Sequence, residues 1–136
     1  NKELTSAIKK LQDHSTSNPS SISQKAALAA LTGTNDAVDA MKVEFEKRRD
    51  YMQGRIEAIN GFECAKPDGA FYSFINISAI QKDSLKFAGE LLEKEKVAVI
   101  PGEGFGAPGN IRMSFATSME NIQKGFDRIQ KFLEGK

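Results

Sequence analysis

Arg112 is the residue of this 136-residue chain whose type and setting best suit binding chemistry. It lies in Ile111-Arg-Met-Ser-Phe115, a β-rich run whose side chains alternate across a pleat. Ile111, Met113 and Phe115 then share one face, and Arg112 and Ser114 share the other. A guanidinium held out from an apolar layer is a planar, permanently charged fork. It grips a carboxylate through two parallel hydrogen bonds if its face looks into a cleft, and is a solvated charge if it does not. A second strand-like run, Val97–Ile100, precedes a loop that carries Gly102, Gly104, Gly106 and Gly109 with Pro101 and Pro108. Gly104, Gly106 and Gly109 satisfy the dinucleotide-binding spacing, but that chemistry needs a helix to start inside the loop, and here a strand follows. A nucleotide fold is rejected.

The other reactive side chains point to no site. Cys64 has no second thiol to pair with and no basic activator nearby in sequence, so it reads as a packed thiol and fits a reducing, cytoplasmic compartment. His14 is the lone histidine, and no Cys/His or clustered carboxylate spacing suggests a metal, so none is expected. Basic and acidic residues nearly cancel at 19 and 18, which gives no reason to expect nucleic acid. The longest apolar run, Ala26–Leu31, is too short to span a bilayer, and no signal peptide is read.

The elements that must position Arg112 follow from periodicity. Leu4, Ala7, Ile8 and Leu11 mark a helix already running at Asn1, broken by Ser15-Thr-Ser-Asn-Pro19. Ser21 with Gln24 reads as a capping box for a second, alanine-rich helix that ends at Gly33. A long helix is expected over about 36–60, with strands over about 62–64, 70–77, 97–100 and 111–115. The first two strands read as a hairpin. Asp83 or Ser84 opens a helix with Leu85, Ala88 and Leu92 inward, and the strands on either side of it should cross over in parallel. Ser118 caps a last helix with Ile122, Phe126, Ile129 and Leu133 on one side, ending at Gly135. The fold class expected is α+β, a small mixed or antiparallel sheet covered by helices over 34–136, preceded by two helices over 1–33 that lack an obvious partner.

Four stretches in register carry a resemblance: STSNP with SISQ (Ser15–Gln24), PDGAFYSF (Pro67–Phe74), KVAVIPGEGFG (Lys96–Gly106) and NIRMSFATSMENIQKGFDRI (Asn110–Ile129). Together they resemble the C-terminal third of fold-type I pyridoxal-phosphate aminotransferases, nearest to the bacterial aspartate aminotransferase branch. The resemblance implies that residues 1–33 are a helical remnant of the large, cofactor-binding domain, and that 34–136 form the C-terminal small domain. It implies a parent enzyme, homodimeric and cytoplasmic, that moves an amino group between an amino acid and a 2-oxo acid. The Schiff-base lysine of the family and the Gly-Trp-Arg after it have no match here, so no residue of this chain inherits the catalytic role. The chain is therefore expected to be an inactive piece of the enzyme, without bound pyridoxal phosphate and without its large-domain partner.

By the same resemblance Arg112 matches the arginine that grips the substrate α-carboxylate, and Phe71 matches an aromatic wall near the substrate, with Tyr72 pointing the other way. Ser17 and Asn18 match a segment at the dimer interface near the other subunit's active site. Where some relatives place a cation from that segment on a dicarboxylic substrate, this chain has Asp13, His14 and Ser15. Gly102, Gly106 and Gly109 match the loop that lets the small domain approach the substrate. The alternatives are an aromatic or alanine aminotransferase of the same fold, or a ligand-binding or dimerisation module without chemistry of its own.

Overall fold

In a computed structural model, residues 1–135 are described, and they divide into two units, Asn1–Asp39 and Ala40 onward. The first unit holds helix α1 (Lys2–Ser15), helix α2 (Ser21–Thr32) and the start of helix α3 (Asp36–Glu57). Local chemistry sets their ends. Asn1 Oδ1 accepts from the N–H groups of Glu3 and Leu4, satisfying donors that the first turn leaves open. The cap of α2 is Ser20, whose Oγ accepts from Ser23 N–H, and not the expected Ser21. Gln24 does not close the box; its Nε2 donates to Pro19 O at 2.8 Å. Every residue of this unit is exposed, including Leu11, Ile22 and Leu31.

The second unit is built on a three-stranded sheet, β1 (Tyr72–Asn76), β2 (Ile100–Pro101) and β3 (Asn110–Ser114), in the order β1-β3-β2 with both pairs antiparallel. The strands flanking helix α4 (Ser84–Glu95) are therefore parallel to each other, as expected, but they are not neighbours, because β3 lies between them. The anticipated 62–64 strand reduces to one antiparallel bridge, Glu63 to Asn76. Pro101 closes β2 at once, since it has no N–H to give and a turn follows.

One face of the sheet is apolar. Ile75, Ile111 and Met113 are buried with Ile77 and Phe115, and helices α3, α4 and α5 (Met119–Glu134) bring their stripes to the same cluster. From α3 come Met52 and Ile56; from α5 come Ile122, Phe126, Ile129 and Phe132, at spacings of three and four. In α5 the fourth buried position is Phe132, edge-on to Phe87 at 5.5 Å, while Leu133 is only partly covered. Helix α4 buries Phe87, Ala88 and Leu91, so Ala88 is inward as expected, whereas Leu85 and Leu92 turn outward. The reason is polar: Ser84 is drawn inward by hydrogen bonds, and this sets the rotation of the helix. The architecture is α+β, with helices on one face of a small antiparallel sheet.

Candidate functional site

The other face of the sheet carries no fully buried residue. Tyr72, Phe74 and Asn76 of β1 lie on it beside Asn110, Arg112 and Ser114 of β3. Arg112 stands on the central strand, opposite Phe74 on one side and Ile100 on the other. Its guanidinium carbon lies 5.1 Å from the centre of the Tyr72 ring and 4.9 Å from that of Phe105, both within cation–π range. Tyr72, Phe74, Phe105 and Arg112 line an open cleft of about 280 Å³.

Among the described residues Arg112 has neither an ion pair nor a hydrogen-bond acceptor for its guanidinium, whereas Arg128, which also lacks an ion pair, donates to Glu95 O at 3.3 Å. Arg48 pairs with Glu44 at 3.0 Å, Arg49 with Asp50 at 2.9 Å and Arg55 with Asp127 at 2.9 Å. Among the described residues no carboxylate lies within ion-pair distance of Arg112, although its side chain is half-buried. A partly desolvated cation without a counter-ion favours an anion arriving from outside, and a planar fork favours a carboxylate.

Phe105 reaches this face from a single 3₁₀ turn, Gly102–Phe105. The turn is fastened to the start of α4: Ser84 Oγ donates to Glu103 Oε2 at 2.6 Å, Leu85 N–H donates to Oε1 at 3.3 Å, and Gly102 N–H donates to Ser84 Oγ at 3.2 Å. The Ser84 hydroxyl, joined by backbone N–H groups, holds the Glu103 carboxyl below its usual range. Gly102 is required by close approach, since a Cβ there would run into Ala107 O and Asn110. Gly106 and Gly109 have φ of 70° and 80°, the left-handed region that favours glycine. Gly104 meets neither condition.

Phe71 lies just before β1 and is 51% exposed; it meets the cleft only through Tyr72, its ring edge-on at 5.9 Å. Its carbonyl accepts from Phe115 N–H at 2.8 Å, which pins the end of β3. Of the two rings it is that of Tyr72, the first residue of β1, that reaches Arg112. Ser17 and Asn18 belong to the first unit, where both are exposed and Ser17, at φ 60°, donates its N–H to Gln12 O to close α1. Burial pushes the Cys64 thiol up, and its Sγ donates to Ala65 O at 3.2 Å, so it is held as a thiol and not a nucleophile. Among the described residues no His, Cys, Asp and Glu cluster could hold a metal. No helix among them is long and apolar enough to cross a membrane.

Sequence reasoning missed Tyr72, Phe74 and Phe105. The alternation of YSFIN put Tyr72 and Phe74 on one face, but only the pairing of β1 with β3 shows that the face is shared with Arg112.

The family model for aminotransferase class I and II matches residues 1–129. The aspartate aminotransferase of Bacillus subtilis (strain 168) is 43% identical over 97% of this chain and 35% of its own length. The crystal structure of aspartate aminotransferase from Thermotoga maritima matches 97% of this chain and 33% of its own at a TM-score of 0.86 and 38% identity. An alanine aminotransferase from Pyrococcus furiosus matches 99% of this chain and 35% of its own at a TM-score of 0.93 and 32% identity. The chain thus spans about a third of the length of the relatives it matches.

Proposed function

Because the chain belongs to the class I and II aminotransferase family, we propose that it is the C-terminal, substrate-gripping part of an enzyme that moves an amino group from an amino acid to a 2-oxo acid. Arg112 is the anchor for the substrate α-carboxylate. The observation that carries this reading is the half-buried guanidinium that has no carboxylate partner among the described residues and opens on an aromatic cleft. Two parallel hydrogen bonds to the carboxylate fix the substrate's position and tilt, and so the direction of the bonds at Cα, before any chemistry begins.

Enzymes of this family generally use pyridoxal phosphate. The residues lining the Arg112 cleft include no lysine to hold it as a Schiff base and offer one cation among three rings, so they fit a substrate carboxylate and not the cofactor. No step through the cofactor is assigned to them, and the chain by itself is proposed to be inactive. Residues 1–33 are read as helices of the cofactor-binding large domain, and 34–136 as the small domain. Phe71 is assigned an aromatic wall reaching the anchor through Tyr72. Ser17 and Asn18 are assigned to the interface of a homodimer, and the cytoplasm is the proposed compartment, in keeping with a lone, unpaired Cys64. Aspartate is the proposed amino donor by the likeness to the Bacillus subtilis enzyme, and alanine or an aromatic amino acid is the alternative.

The test is Arg112→Ala and Arg112→Lys in the whole enzyme. Loss of a charge-assisted contact lowers kcat/KM by roughly 10- to 100-fold for every amino acid tried, and the point charge of lysine restores only part of it. An unchanged kcat/KM across aspartate, alanine and phenylalanine would falsify the anchor.

A further inference from the structure

We propose that Phe105 is a positioning residue for Arg112, held in place by the tie between Glu103 and helix α4. The inference rests on the reading of Arg112 as the carboxylate anchor. A long side chain with many rotamers binds tightly only if something has already ordered it. An ion pair to a carboxylate of this chain would order it, but would occupy the N–H groups that the substrate needs. Aromatic rings do the same through the cation's charge without using a donor. Arg112 has two such rings, Tyr72 at 5.1 Å and Phe105 at 4.9 Å.

The two rings are supported differently. Tyr72 is fixed by the pairing of β1 with β3. Phe105 sits on a four-residue turn, 50% exposed, where core packing does not account for a large apolar ring. The turn is nonetheless secured at both ends. At its head, Gly102 N–H and the Glu103 carboxylate converge on Ser84, and Glu103 also takes the free N–H of Leu85. At its tail, the N–H groups of Gly106 and Ala107 return to Glu103 O and Gly102 O, both at 3.0 Å. From below, Phe74 meets the Phe105 ring edge-on at 5.8 Å and 90°. A turn braced in this way holds the ring over the guanidinium, and Glu103 acts on the anchor through Phe105 without touching substrate.

Two measurements test it. In the 136-residue chain, the Arg112 Nε–Hε resonance, shifted by the adjacent ring currents, moves toward the value of an exposed arginine in Phe105→Leu and stays near the native position in Phe105→Tyr. In the whole enzyme with pyridoxal phosphate, Phe105→Leu raises KM for aspartate about fivefold with kcat little changed, the size carried by one half-exposed cation–π contact, and Phe105→Tyr restores it. Glu103→Gln moves both readouts in the same direction and less far. The proposal is overturned if the resonance does not move, or if KM is unchanged while Arg112→Ala still cuts kcat/KM. If Arg112→Ala is itself without effect, the anchor has failed and this role goes with it.

Discussion

Helices α2 and α5 both begin behind a serine whose Oγ accepts from the backbone N–H three residues on, Ser20 from Ser23 and Ser118 from Asn121. There the likeness ends. Helix α5 buries Ile122, Phe126, Ile129 and Phe132, and Arg55 of α3 is tied to it through Asp127 and Gln130 at 2.9 and 2.7 Å. Helix α2 buries nothing, and Ile22, Leu28 and Leu31 lie open. The same cap chemistry therefore chooses where a helix starts in both units, but only burial makes a 12- to 16-residue helix durable. The first unit is held by local terms and the second by a core.

The strongest way to break that comparison is a truncation in the core. Phe126→Ala removes a fully buried ring and should cost about 3–5 kcal/mol in the urea unfolding of the second unit. A loss under about 1 kcal/mol would mean that the core does not carry the unit. Next come the matched caps. Ser118→Ala should lower the same unfolding transition by about 1 kcal/mol, while Ser20→Ala should reduce helical circular dichroism and leave the transition where it was. Smallest is Leu31→Ala, on a side chain 86% exposed, expected within about 0.5 kcal/mol of wild type. A shift as large as that of a core residue would show that a partner covers the α2 face in solution.

Acid sharpens the picture of the site. The Glu103 carboxyl is depressed by the Ser84 hydroxyl, so the tie contributes above the ordinary carboxyl range, near pH 4.3, and is lost as pH falls through the lower folded value. The protection of the Gly102 amide, taken relative to the intrinsic exchange rate at each pH, should be high at neutral pH and fall on acidification below about pH 4, and the step should vanish in Glu103→Gln. Protection that is the same at pH 7 and pH 3 would remove the tie.

Much of this was legible in the chain because local rules sufficed. Alternation in IRMSF places Arg112 on the face away from Ile111 and Met113, Ser118 marks the start of α5, and the choice between Asp83 and Ser84 for α4 falls to Asp83 as the cap. What stayed hidden depended on distant partners. The phase of the α4 stripe is not legible locally, because nothing near Ser84 says that it is pulled inward by a glutamate 19 positions later. Phe105 has no local signal because its role depends on a fastened turn, and Tyr72 has none because β1 pairs with residues 34 to 42 positions away in β3. Ser20 and Ser21 in tandem offer the same hydroxyl, and only backbone geometry after Pro19 makes Ser20 the cap.

The strict in-and-out order of β3 has one more effect. A single-residue slip against β1 would drive the charge at position 112 into the hydrocarbon layer and turn Ile111 and Met113 out to water, so the misaligned sheet is penalised twice. The side chain proposed to hold the substrate thus also proofreads the strand alignment, and a neutral, apolar replacement there would loosen the choice of register as well as the grip.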